Sequence, residues 1–176
     1  EEFWMDKSTF CSNHTANQGE RWGHMATKLR LWQLTQFSRV LYMDADTVLT
    51  KSVSTLFHGV KTFAAEKPLS HKGFNAGVML LTPSERVFGE LLAVGEKKHG
   101  SLFGGVVDCT EQGLLNTYFD GSEGREVTKM DVGRPDVKAD WKSGNVPFAV
   151  HWIMLVCPKP WLVADKVLMA GPECDQ

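Results

Sequence analysis

Three observations predict an α/β fold with a mostly parallel sheet flanked by helices. Short apolar runs alternate with helix-periodic segments, the pattern of strands linked by helices. Two of those runs end in polar residues of ligand type, Asp44 and Asp46 after Val40–Met43 and His151 after Val146–Val150. That is the carboxyl edge, where open α/β sheets bind ligands. The third is size and composition: 176 residues, 43% hydrophobic and 23% charged, suit a single globular domain.

Residues 1–24 mix polar and aromatic residues without a period and read as irregular. A helix is predicted from Met25 to Phe37, with Met25, Leu29 and Trp32 at i, i+4 and i+7 and Leu34 and Phe37 widening the apolar face. Strand 40–43 follows. Phe63-Ala64-Ala65 is a weaker strand, Val78-Met79-Leu80-Leu81 a stronger one. Thr82-Pro83-Ser84-Glu85 then reads as a capping box with Thr82 as N-cap, opening a helix that carries Val87, Phe88, Leu91 and Leu92 and runs out near Gly95. Gly100–Gly105 reads as a flexible loop. Glu111–Phe119 is a second clear helix, with Leu114, Leu115 and Tyr118 facing inward. Residues 120–145 read as a surface excursion, and Val146–Val150, with its proline, as a last, edge-type strand.

The net charge of −2 leaves no electrostatic footprint for nucleic acid, and no stretch approaches the ~20 apolar residues of a membrane span. The four cysteines form no CxxC pair, so zinc is not indicated. They do not separate a cytoplasmic from a Golgi-lumenal protein, and the sequon Asn13-His14-Thr15 matters only in a lumenal one.

Asp44 and Asp46 stand one residue apart. Two such carboxylates repel unless a cation lies between them. Oxygen ligands with open positions suit Mn²⁺ or Mg²⁺ that is also held by a substrate's phosphates. His151, after another strand, completes one metal site assembled from distant segments.

Four segments together resemble glycosyltransferase family 8, the glycogenin-like retaining transferases of the GT-A fold. They are Lys28–Trp32 leading through Leu34–Phe37 to Leu41–Thr47, Phe74–Met79 ending in Pro83-Ser84, Asp108–Asn116, and His151-Trp152 followed by Lys159-Pro160-Trp161. The resemblance spans about residues 21–161 of one domain covering 1–176. It implies a nucleotide-diphospho-sugar transferase that moves a hexose, glucose foremost, from a UDP-sugar to an acceptor hydroxyl. The acceptor stays open among carbohydrate, polyol and protein, and a homodimer stays open too.

The resemblance also implies the site. Asp44, Asp46 and His151 hold Mn²⁺ (or Mg²⁺) on the UDP diphosphate. Lys28, Ala45 and Lys159 lie along the donor, and Asn75 and Ala76 lie against its sugar. Asp108, Glu111 and Gln112 line the sugar hydroxyls and the reacting face, with Glu111 and Gln112 in the catalytic roles. A front-face reaction is expected, with the amide oxygen of Gln112 steadying oxocarbenium-like charge. Glu111 stands where the family has Asp and reaches about one methylene farther.

The chain departs from the pattern in three places. The family's first strand, part of the uridine pocket, is expected ahead of residue 1, so the domain reads as N-terminally incomplete. The Leu-Pro-x-x-Tyr-Asn stretch expected between Asn116 and His151 is missing, and the His151-to-Lys159 spacing is longer than in glycogenin. Glycogenin glucosylates its own tyrosine, but Tyr42 and Tyr118 both fall on inward-facing positions, which favours a separate acceptor. The alternative reading is a catalytically inactive transferase-like protein that binds UDP-sugar. A phosphatase built on the acid pair leaves the Asn75 and Gln112 segments unexplained.

Overall fold

Strand β4 (Asn75–Leu81) organises the molecule. Met79 and Leu81 turn to one face and Val78 and Leu80 to the other, and all four are buried, as the two-residue period of a strand requires. A strand covered on both faces belongs inside a sheet, and β4 lies between β1 (Val40–Met43) and β3 (Phe63–Glu66), with β7 (Thr128–Met130) beyond β3. The structure, a computed structural model, describes residues 26–60, 62–68, 73–96, 101–103, 106–108, 110–121, 124–134 and 146–153.

The sheet expected to be mostly parallel is mixed among the described strands. β1 and β3 both run antiparallel to β4, and only β3 and β7 pair in parallel. The link between β3 and β4, residues 67–74, is shorter than the dozen or more residues that a parallel crossover needs. Two smaller pairings complete the set. β2 (Thr47–Leu49) runs antiparallel to β8 (Ala149–His151), and β5 (Ser101–Phe103) pairs with β6 (Val106–Asp108). The β5–β6 hairpin replaces the loop expected over Gly100–Gly105. Two apolar runs separated by Gly104-Gly105 carried that signal. β8 begins after Pro147 rather than before it and takes His151 as its last residue.

Among the described residues, three helices cover one face of the sheet, while Leu56 and Phe57 of a short fourth pack on the other. The segment expected as a helix to Phe37 is a 3₁₀ helix over Ala26–Gln33, followed by turns closed by Leu31 O and Leu34 O. Its early end swings Phe37 out to 54% exposure, against the expected inward position; Met25 lies outside the described residues. After the short helix α1 (Leu56–Gly59), α2 (Glu85–Glu96) starts two residues later than predicted. Its cap is Ser84, whose Oγ accepts from Val87 N (3.4 Å) and whose carbonyl accepts from Phe88 N (3.0 Å). Thr82 is instead spent on the sheet, its N–H donating to Thr62 O. α3 (Glu111–Tyr118) is capped by Thr110 Oγ1, which accepts from Gly113 N at 3.3 Å. Leu29 and Trp32 of the 3₁₀ helix, Phe88 and Leu91 of α2, and Leu114 and Leu115 of α3 pack on Phe63, Ala65, Met79 and Leu81. The 3₁₀ helix and α3 thereby bring Lys28 and Glu111 to the sheet edge beside Asp44.

The Tyr118 hydroxyl donates to Glu90 and straps α3 to α2. Burial, then Glu90 itself, pushes Tyr118 up to about 12 despite Arg125 over its ring, and the same bond lowers Glu90. The strap is intact between these limits. It fails as pH falls through the lowered Glu90 value, and as pH rises from the unfolded tyrosine value of ~10 toward the folded one. Tyr118→Phe is expected to cost about 1 kcal/mol near neutral pH. A melting-temperature series against pH should show the wild type losing this advantage above about pH 10.

Candidate active site

Backbone pairing brings the three predicted metal ligands together. Asp44 extends β1 by one bond, its N–H donating to Gly77 O at 2.7 Å. Its carbonyl accepts from Thr47 N at 3.0 Å and closes a tight turn through Ala45, which is exposed, and Asp46. Thr47 then opens β2, and the β2–β8 register sets it opposite His151. Trp152 N donates back to Asp46 O at 2.9 Å, and His151 N donates to Gly133 O at 2.9 Å. Main-chain bonds thus bring together residues that stand 105 positions apart.

The ligand atoms of Asp44, Asp46 and His151 all lie within 4.8 Å of one another. His151 Nε2 stands 3.2 Å from Asp46 Oδ1 and 4.0 Å from Asp44 Oδ2. Donors at right angles around a cation with ~2.1 Å bonds stand ~3.0 Å apart, so small adjustments suffice to surround one ion. The donor chemistry fits as well. His151 Nδ1 is 2.7 Å from Glu66 Oε2, and an acceptor there puts the ring hydrogen on Nδ1. The Nε2 lone pair then faces carboxylate oxygens, an arrangement that needs a cation between them. Burial lowers His151, but Glu66, then Asp46 and Asp44, outweigh it and raise it overall.

Asp44 is held on its other side. Its Oδ1 accepts from Tyr42 Oη at 2.6 Å and pairs with Lys28 Nζ at 2.9 Å, leaving Oδ2 toward His151. Lys28, from the 3₁₀ helix, also pairs with Glu111 Oε1 at 3.1 Å and is 8% exposed. Burial pulls Lys28 down, yet its two carboxylates raise it overall, so it stays charged. Burial raises Glu111, and Lys28 only partly offsets that. Glu111 Oε2 is buried with no hydrogen-bond partner among the described residues. Burial and the Asp44 bond also push Tyr42 up, which keeps it a donor.

The sugar-side residues adjoin this cluster through β4. Asn75 Oδ1 accepts from Gly77 N at 2.7 Å, and Gln112 Oε1 accepts from Ala76 N at 2.9 Å. The Gln112 amide oxygen, expected at the reacting carbon, is thus engaged with the backbone. Ala76 is 1% exposed and packs in the core. Asn116 clasps Phe74, accepting from its N–H at 2.8 Å and donating to its carbonyl at 2.9 Å. Lys28, Asn75, Glu111 and Gln112 are therefore gathered around the metal-type cluster. Asp108 ends β6, its side chain outside the described part, and Lys159 lies outside the described residues.

Gly77 makes room for His151. A Cβ there would lie 2.0 Å from His151 Cε1 and 2.8 Å from Asn75 Oδ1. Gly77→Ala is expected to push the imidazole away from Asp46 at a cost of about 1–3 kcal/mol. Mn²⁺ uptake should fall while far-UV circular dichroism stays native. Unchanged uptake would show that the ring has room elsewhere.

Glu66 and Tyr42 escaped the sequence reading. Glu66 ends a weak strand and runs into Lys67-Pro68, which reads as a polar turn, and Tyr42 reads as one more apolar strand residue.

No family model matches the chain. Among curated proteins it is 39% identical over 107 residues to glycogenin-1 of Mus musculus, covering 61% of this chain and 30% of that protein. It is 32% identical over 115 residues to inositol phosphorylceramide glucuronosyltransferase 1 of Arabidopsis thaliana, covering 65% of this chain and 20% of that protein. The chain therefore spans less than a third of the length of these relatives. Among solved structures it matches the apo-form glycosyltransferase GlyE of Streptococcus pneumoniae TIGR4, with a TM-score of 0.55 and 22% identity over 77% of this chain and 38% of that one. The glycogenin-like resemblance and the GT-A fold are both present in these matches.

Proposed function

We propose that this chain carries the donor-binding core of a metal-dependent retaining glycosyltransferase, which moves a hexose, glucose first, from a UDP-sugar to a hydroxyl on another molecule. The observation that carries this reading is the convergence of Asp44, Asp46 and His151 from distant segments, in a fold shared with glycosyltransferases. Asp44 Oδ2, Asp46 Oδ1 and His151 Nε2 would hold the cation. Bound there, Mn²⁺ or Mg²⁺ supplies Lewis-acid charge to the departing diphosphate. Lys28, charged and clamped, adds positive potential on the helix side. Ala45 leaves the turn's outer surface open to the nucleotide. Asn75 and Glu111 address the sugar, and Gln112 fixes the Ala76 backbone beside the reacting face. Asp108 and Lys159 retain the sugar and diphosphate roles that the resemblance implies.

Isothermal titration of UDP with and without Mn²⁺, followed by UDP release from UDP-glucose across carbohydrate, polyol and protein acceptors, tests the reading. Metal-dependent binding with turnover supports it. Metal-dependent binding without turnover on any acceptor selects the inactive, UDP-sugar-binding alternative. UDP binding indifferent to metal overturns both.

A further inference from the structure

We propose that Glu66 is a positioning residue for the imidazole of His151, an inference that rests on the metal-site reading above. Glu66 is 1% exposed and His151 3%, and their side chains meet at 2.7 Å although they stand 85 positions apart. A carboxylate so enclosed loses its water and is costly unless strong hydrogen bonds replace it. An apolar residue would fill the same space at lower cost, so a packing role alone does not account for an acid there.

The local backbone places Glu66 for this contact. The β3–β4 register runs Ala64↔Leu80 and Ala65↔Met79, then jumps to Glu66↔Asn75. Such a bulge re-aims the side chain that follows it. The side chain reaches the ring from behind, on the side away from Asp46. Accepting the Nδ1 hydrogen does two things. It selects the tautomer whose Nε2 carries a lone pair, and it fixes the ring plane so that this lone pair faces Asp46 Oδ1 and Asp44 Oδ2. With Glu66 absent, the other tautomer would aim an N–H at the cation's position. Carboxylate partners of this kind orient metal-ligating histidines generally, and their loss weakens metal binding about 10–100-fold.

The test uses the purified protein, Glu66→Ala and the isosteric Glu66→Gln. Mn²⁺ binding is titrated by electron paramagnetic resonance of the free ion. The His151 tautomer is read in the metal-free protein from ¹⁵N shifts, at a pH where the ring is neutral. The wild type should carry its hydrogen on Nδ1. Glu66→Ala should lose about 10–100-fold in Mn²⁺ affinity and show the Nε2–H form. Glu66→Gln keeps an oxygen acceptor without the charge and should lose about threefold or more, with a shifted Nδ1 resonance. Wild-type affinity and tautomer in both variants would overturn the role of Glu66. If Glu66→Ala does not fold, the same two readings on Glu66→Gln decide it. A wild type that takes up no Mn²⁺ would overturn the metal reading itself, while the tautomer comparison still decides whether Glu66 orients the ring.

Discussion

Asp46→Asn is expected to abolish Mn²⁺-dependent UDP binding, with a loss of about 100-fold or more, since orienting partners of a metal ligand alone are worth 10–100-fold. The substitution keeps size and shape and removes the charge. Asp46 is the better of the two acids to test. Asp44 also anchors Tyr42 and Lys28 through Oδ1, so its replacement mixes a metal effect with a packing effect. Asp46 Oδ1 faces His151 Nε2 at 3.2 Å, and the Asp46 carbonyl, which accepts from Trp152 N, is untouched by the change. Calorimetry with and without Mn²⁺ reads the result. Metal-independent UDP affinity and the melting temperature should move little. Full Mn²⁺-dependent affinity in Asp46→Asn would mean that the cation sits elsewhere.

Lys28→Met should be the most destabilising of the substitutions considered, costing about 3–5 kcal/mol, the usual result of stranding a buried charge. That is a large part of the ~5–15 kcal/mol that holds a domain of this size together. Lys28 lies between Asp44 and Glu111, and the Glu111 side chain is 2% exposed. Without the ammonium, Glu111 keeps a buried carboxylate whose second oxygen already lacks a partner among the described residues. Urea unfolding gives the cost. Adding Glu111→Gln should recover part of it, because the double variant removes the orphaned charge, and the cycle isolates the pair's coupling. A loss under about 1 kcal/mol, typical of exposed pairs, would show that water reaches the cluster.

Much of the site was legible because ligand chemistry is written in residue types. An acid pair past a strand and a histidine at a later strand end suffice to name Asp44, Asp46 and His151, since strand ends converge at one edge of a sheet. Asn75, Glu111 and Gln112 needed the resemblance, because each alone is an ordinary turn or helix residue. Glu66 was hidden for a different reason. Whether an acid at a strand end is solvated or buried depends here on the register shift between Ala65 and Glu66, and no side-chain pattern in Phe63–Glu66 encodes that shift. Strand direction was hidden likewise: apolar runs mark strands but carry no polarity, and only the short β3–β4 link gave a hint. The helix before Asp44 was legible as a helix through Leu29 and Trp32. Its 3₁₀ winding and early end were not, because positions i and i+3 lie on one face in either form.

The glycine beneath His151 has a consequence for attempts to make this protein sturdier. Glycine is among the weakest residues for a strand interior, and β4 is the strand on which the whole sheet is built. Any search for hardier variants, by heat challenge or by consensus with better strand formers, has a reason to replace Gly77. Yet any side chain there would unseat the ring above it, and the strain of that contact outweighs the gain in strand propensity. Strand propensity is therefore a misleading guide at this one position, because endurance and metal capture both favour keeping Gly77.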